Sequence, residues 1–193
     1  SPTSGAESVK ELEKRMLNYG VGKIATIAGR YFAMDRNNNW DRIKKSYDAM
    51  VKGESTKITS AVDYIKDSYS KEVYDEYMEP AVIMENDQPV GKIQDNDSII
   101  FFNFREDRAR QMTKAFTIPG FSKFEREERK NIHFVTMVHY EDGLPVDTAF
   151  GVVTIKNSLG EILSQNKLAQ LRIAETEKFA HVTYFFNGGS EEP

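Results

Sequence analysis

Residues 99–110, Ile-Ile-Phe-Phe-Asn-Phe-Arg-Glu-Asp-Arg-Ala-Arg, constrain the fold more than any other stretch of the chain. The first half is an apolar run rich in β-branched and aromatic side chains, bounded upstream by Asp95-Asn96-Asp97-Ser98, and reads as a buried strand. It stops abruptly at Arg105 and Arg108, and a helical pattern through Met112, Ala115 and Phe116 follows. Two guanidinium groups therefore sit where a strand turns into a helix, which in an open α/β sheet is where ligands dock. Arginines three apart at a helix start point the same way, and their flat forks suit one small anion better than lysine would.

The order of patterns along the chain fits the same architecture. A helix over residues 7–19, with Val9, Leu12, Met16 and Leu17 on one face, stops at Gly20 and Gly22. A short strand over residues 24–27 ends in Gly29-Arg30, a second strand tip carrying an arginine. Asn39 is placed to cap a helix over residues 40–52 whose apolar face is Ile43, Tyr47, Met50 and Val51, closed by Gly53. Helical spacing returns over residues 59–69, and a shorter helix over residues 71–78 breaks before Pro80. Residues 81–84 and 90–93 read as a hairpin around Asn86-Asp87-Gln88-Pro89, residues 123–130 as a solvated charge run, and residues 132–140 as a strand. Together these predict a layered α/β domain with a mostly parallel sheet flanked by helices. Residues 158–178 turn helical, and residues 181–186 read as a final strand with nothing after it to cover it. From Gly151 onward the chain accordingly reads as part of a neighbouring body.

Composition narrows the function. A net charge of −4 and a pI near 5.5 leave no basic stripe for a nucleic-acid backbone. There is no cysteine, so neither a disulfide framework nor a thiolate metal site is available. No apolar run approaches the roughly 20 residues of a membrane span, and residues 1–6 lack the basic and apolar parts of a signal peptide. A cytoplasmic, reducing location fits best.

Four arginines stand out: Arg30 and Arg36 in one strand-to-helix connection, Arg105 and Arg108 in the other. If the two strands are neighbours, all four converge on one pocket of roughly a few hundred Å³. The competing reading pairs them with Asp35, Glu106 and Asp107 as ordinary surface ion pairs worth roughly 0–1 kcal/mol each. Other motifs are weaker. His133 and His139 lie too far apart along a strand to share a metal, Asp95-Asn96-Asp97 lacks the glycine and glutamate of a calcium loop, and Gly188-Gly189 lacks the lysine and hydroxyl of a phosphate loop.

Longer motifs go further. Residues 29–36 (Gly-Arg-Tyr-Phe-Ala-Met-Asp-Arg), Trp40-Asp41-Arg42, residues 102–110, residues 174–183 and Phe185-Phe186-Asn187-Gly188-Gly189 together resemble the cofactor-independent (2,3-bisphosphoglycerate-independent) phosphoglycerate mutases, in order and over nearly the whole chain. The departures are Asn37 and Asn39, where the family usually has an acidic residue and an arginine, and Glu106, where it often has a proline.

The resemblance implies a phosphatase-like domain, related to alkaline phosphatase, that carries an inserted substrate-binding domain. On that basis residues 1–152 are most of the inserted domain, and residues 153–193 are the linker and first return into the phosphatase-like domain. It further implies transfer of the phosphoryl group of 3-phosphoglycerate to a serine and back to the 2-hydroxyl, with two manganese ions in the whole enzyme. That serine, the metal ligands and an Asp-Gly-Arg-Asp segment are not in this chain, so the resemblance implies no metal bound here and no turnover by the chain alone. Carried over by position, Arg30, Arg36 and Arg105 are expected to hold the glycerate, and Arg108 and Lys178 the phosphoryl group. The expected partners are 3- and 2-phosphoglycerate and the remaining domain of the same protein, with no nucleic acid or membrane and a monomeric full-length enzyme. The alternative is a self-standing, non-catalytic domain binding a small anionic metabolite or a partner protein.

Overall fold

The computed structural model describes residues 1–151 and 155–189, which form two compact units, Ser1–Phe150 and a second beginning at Gly151. The expected domain boundary at residues 152 and 153 lies outside the described residues.

The first unit opens with helix α1 (Gly5–Tyr19), closed by Gly20 in the left-handed region at φ 66°, where glycine carries no Cβ penalty. Asp75 accepts from the Ser4 and Gly5 N–H groups at 3.0 and 2.9 Å, placing a carboxylate at the positive end of the helix. No residue of α1 is fully buried: Val9 and Met16 are half-buried, whereas Leu12 and Leu17 are 44% and 81% exposed, so the apolar face is only partly covered within this unit.

Then follow β1 (Thr26–Ile27), α2 (Arg30–Ala33), α3 (Trp40–Val51), β2 (Thr56–Ile58), α4 (Ala61–Ser70), β3 (Ala81–Glu85), β4 (Gln88–Pro89), β5 (Ser98–Phe101), α5 (Arg110–Thr117), β6 (His133–Thr136) and β7 (Asp147–Thr148). The Ser60 hydroxyl caps α4 by accepting from Asp63 N, and Gly53 turns the chain after α3 at φ 73°. Asn86 and Asp87, both at positive φ, make the two-residue turn between β3 and β4, so the hairpin is tighter than expected. In place of the short helix expected over residues 71–78 there is only a 3-10 turn, Asp75–Tyr77. Glu72 at φ 60° interrupts the pattern before it can start.

The strands form two sheets, where one was expected. β3 pairs β1 antiparallel, β2 parallel and β4 antiparallel, whereas β5, β6 and β7 form a separate, wholly parallel sheet. The class is mixed α/β with a parallel sheet and flanking helices, as expected. β5 is an edge strand, and it is not buried on both faces: Ile100, Phe102 and Phe104 are 66%, 73% and 65% exposed. Only Ile99 and Phe101 turn inward, onto a core of Ile43, Tyr47, Val51, Met112, Ala115, Phe116 and Phe134. The core therefore lies between α3, α5 and the parallel sheet, with the Tyr47 and Phe116 rings 4.7 Å apart.

Residues 123–130 do not behave as a solvated run. The Arg126 side chain is 5% exposed and donates to the carbonyls of Ala115 and Ile118, while Arg129 donates to Val51 O at 3.2 Å. These guanidiniums bond carbonyls at the C-terminal ends of α5 and α3, which favour cations. Strand β6 ends at Thr136, short of the expected Tyr140, and the buried Tyr140 hydroxyl donates to Phe101 O and Asn103 O at 3.1 and 2.5 Å.

The second unit contains α6 (Leu159–Gln165), capped by Ser158, a 3-10 turn at Thr176–Lys178, and α7 (Phe179–Val182). The strand expected over residues 181–186 is instead α7 and successive turns, with Thr183 N donating to Phe179 O and Phe185 N to Ala180 O. No strand is described in this unit for it to pair with, so its backbone groups are satisfied locally.

Candidate functional site

The first connection is shaped by Gly29 and Asp35. Gly29 is buried, its N–H donates to Met78 O at 2.8 Å, and a Cβ there would lie 2.7 Å from Asp75 O and closer still to Glu76 O. Only glycine lets the chain pass the 3-10 turn this closely, and the passage leaves Arg30 Nη2 2.9 Å from Glu76 Oε2. Asp35, 3% exposed, accepts from the backbone N–H of Asn37 and Asn39, from Asn39 Nδ2, and from Arg42 Nη1. Asn39 therefore does not cap α3 with its side chain; it donates that side chain to Asp35. Arg42 lies 3.7 Å over the Tyr31 ring, and the exposed Arg36 stands at the crest of the loop Asp35 ties down.

The second connection leaves β5 under the Tyr140 anchor. Arg105 and Arg108 precede α5 and are not on its first turn, since the helix begins at Arg110. Asp107 sits between them. Its Oδ1 accepts from Arg105 Nε at 2.8 Å and from Arg108 N at 2.9 Å, and its Oδ2 accepts from Arg105 Nη2 at 3.1 Å and Arg36 Nη1 at 2.6 Å. Arg108 Nη1 donates to Met34 O at 3.0 Å, and Asn38 N donates to Gln111 Oε1 at 3.0 Å. Two segments some seventy residues apart are thus sewn together by side chains that both contribute.

Asp107 joins Arg36 to Arg105, and Arg108 reaches Met34 O on the first connection, whereas Arg30 bonds Glu76 apart from them, and the expected shared sheet edge is absent. β1 and β5 belong to different sheets and share no edge. A hollow of about 310 Å³ beside Arg30 is walled by Ser1, Pro2, Arg30, Asp75 and Glu76; Arg36, Arg105 and Arg108 are not among its walls, so it does not enclose all four. Lys178, exposed at the end of its 3-10 turn, belongs to the second unit.

Charge decides what this surface accepts. At the seam the single carboxylate of Asp107 faces two guanidiniums, those of Arg36 and Arg105, while Glu76 faces Arg30 and Arg108 is bonded to a carbonyl. Burial pushes the Asp107 carboxyl up, but the hydrogen bonds from Arg36 and Arg105 outweigh it and hold the group below the usual carboxylate value. Arg30 likewise holds Glu76 below its ordinary value. Arg36 and Arg105 keep 39% and 64% of their side-chain surface exposed, so both remain within reach of an incoming anion.

Glu76 and Gln111 escaped the sequence reading, which placed Glu76 inside a helix and Gln111 on no face of interest. Asp107 was visible only as a pairing partner. His133 and His139 make separate exposed pairs with Asp147 and Asp142, at 3.2 Å each. Among the described residues no group of three or more His, Cys, Asp or Glu side chains gathers as a metal site would require.

Comparison with known proteins identifies the family. The family described as "BPG-independent PGAM N-terminus" matches residues 1–142. A 2,3-bisphosphoglycerate-independent phosphoglycerate mutase of Clostridium perfringens is 52% identical over 194 residues, and one of Methanococcoides burtonii is 48% identical; each match takes in 100% of this chain and 38% of the relative. The crystal structure of Leishmania mexicana phosphoglycerate mutase, described at low cobalt concentration, superposes with a TM-score of 0.77 at 30% identity, covering 98% of this chain and 37% of that one. The chain thus spans little more than a third of the proteins it matches. On its sequence match and its fold together, it belongs to the 2,3-bisphosphoglycerate-independent phosphoglycerate mutase family.

Proposed function

We propose that this chain supplies the substrate-holding surface of a phosphoglycerate mutase of glycolysis and gluconeogenesis, interconverting 3- and 2-phosphoglycerate through a phosphoserine in the cytoplasm. Arg30, Arg36 and Arg105 hold the glycerate, and Arg108 and Lys178 receive the phosphoryl group. Residues 1–152 form the inserted substrate-binding domain, and residues 153–193 lead back into a phosphatase-like domain that supplies the serine. The observation that carries the reading is the seam at Asp107, which gathers arginines from two distant connections with a surplus of positive charge. Moving a phosphoryl group between two hydroxyls of one molecule requires that the dephosphorylated glycerate stay bound while it turns. Flat guanidinium forks suit that task, because each can grip a carboxylate through two parallel hydrogen bonds and release it without a proton changing hands.

Two manganese ions would serve to activate the serine and the transferring group. The described residues of this chain do not fit such a site, since no cluster of three or more candidate ligands forms. Its own contribution is to bind and orient. Calorimetric titration with 3-phosphoglycerate tests this: the double variant Arg105→Ala, Arg108→Ala is expected to bind at least about tenfold more weakly than the wild type, each lost charged hydrogen bond being worth roughly 1.5–3 kcal/mol. Equal affinity in the two chains removes the site.

A further inference from the structure

Asp107 presents a paradox for an anion site. It places a negative charge among the arginines that are to receive a negatively charged ligand, so by charge alone its removal should tighten binding. Its hydrogen bonds point the other way. All the acceptor positions of the carboxylate are engaged: Oδ1 by Arg105 Nε and the Arg108 backbone N–H, Oδ2 by Arg105 Nη2 and Arg36 Nη1. The bond to its neighbour's backbone fixes the side chain on the second connection, and from there it reaches the first. Arg36 is left with Nε and Nη2 unengaged and Arg105 with Nη1, so both guanidiniums are held while part of each fork stays open. Arg36 makes no other hydrogen bond among the described residues, and without Asp107 its long side chain is unrestrained.

We propose that Asp107 is a positioning residue, which holds Arg36 and Arg105 at a fixed separation across the two connections so that one phosphoglycerate meets both at once. This rests on the function proposed above and adds to it the group that organises the site. The gain is preorganisation: two guanidiniums ordered before the ligand arrives need not be ordered by it. The requirement falls only on a ligand long enough to span both arginines; inorganic phosphate, which one guanidinium can hold, does not need it.

The test measures binding of 3-phosphoglycerate and of inorganic phosphate to the wild-type chain, Asp107→Asn and Asp107→Glu, with urea unfolding as the check on folding. Asp107→Asn is expected to bind 3-phosphoglycerate about tenfold more weakly while binding phosphate as well as or better than the wild type. Asp107→Glu, which keeps the charge, should recover to within about threefold. A ligand-free reading accompanies these: the Arg105 Nε–H resonance, hydrogen-bonded in the wild type, should move and exchange faster with solvent in Asp107→Asn. If Asp107→Asn does not fold, Asp107→Ser takes its place, and a ratio of the two affinities in that chain equal to the wild type's overturns the proposal. Unchanged or tighter binding of 3-phosphoglycerate by a folded Asp107→Asn chain, or an unaltered Arg105 resonance, overturns it as well while leaving the proposed function standing. A wild-type chain that binds no 3-phosphoglycerate overturns both.

Discussion

Replacing Tyr140 with phenylalanine tests how the second connection is held. Tyr140 is 2% exposed; its ring lies edge-on to Phe101 at 5.9 Å, and its hydroxyl is shared between the carbonyls of Phe101 and Asn103, where β5 ends and the approach to Arg105 begins. Tyr140→Phe keeps the ring and removes only the donor, leaving Asn103 O short of a partner while Phe101 O keeps the Met137 N–H at 3.3 Å. The expected loss is about 1–2 kcal/mol, the usual cost of an unsatisfied buried polar group. With a urea slope of about 2 kcal/mol per molar, the midpoint should fall by about 0.5–1 M with the slope unchanged. Alkali supplies a second reading. Burial pushes the Tyr140 phenol up from 10.0 to about 12, so the fold favours its protonated form. That contribution is fully present below pH 10 and is lost as the pH rises towards 12, up to a limit of about 2–3 kcal/mol at 1.36 kcal/mol per unit. The wild type should therefore lose stability faster than Tyr140→Phe across that window, and the two curves should converge. Urea midpoints at a series of pH values read both effects. Parallel curves between pH 9 and 12, or an unchanged midpoint at pH 7, would refute the assignment of Tyr140 as the anchor.

Two further outcomes follow from packing. Gly29→Ala drives a methyl group into the backbone of Asp75 and Glu76, which cannot swing aside as a side chain would, so a loss of about 1–3 kcal/mol is expected in urea unfolding; a neutral substitution would show that the 3-10 turn is free to retreat. Arg126→Met preserves the buried stem but removes the donors to Ala115 O and Ile118 O, and should cost about 1.5–3 kcal/mol in the same measurement. A loss below about 0.5 kcal/mol would show that those carbonyls are satisfied by water instead.

What the sequence discloses is mostly local. The apolar faces of α3 and α5 and the glycines after α1 and α3 are legible because each depends on residues within a turn or two. Arg126 shows where that ends: in a run of glutamates, lysines and arginines it looks solvated, and nothing nearby in sequence reveals that α5 will offer it two carbonyls. The exposed face of β5 misleads for the opposite reason. Apolar side chains on both faces read as two-sided burial, yet this unit covers only the face of Ile99 and Phe101. Asp35 is hidden most completely, for its burial follows from a loop closing over it through Asn37 and Asn39.

The convergence of the arginines also has a cause the sequence does not carry. A shared sheet edge would have explained it, but the strands leading to the two connections lie in different sheets. The helices that follow them supply the link. α3 and α5 pack on one another through Tyr47 and Phe116. Their leading ends meet where Asn38 bonds Gln111, and their trailing ends are tied by one segment, through Arg129 to Val51 and Arg126 to Ala115 and Ile118. The two helices therefore run side by side in the same direction. Any connection that feeds one must open beside the connection that feeds the other, whatever sheet it came from. Parallel packing also brings two positive helix ends to the same place, each equivalent to about half a unit charge. The arginines thus stand where backbone dipoles already favour an anion, and a guanidinium moved to the trailing ends would find carbonyls to pair with, as Arg126 and Arg129 do, and no ligand to hold.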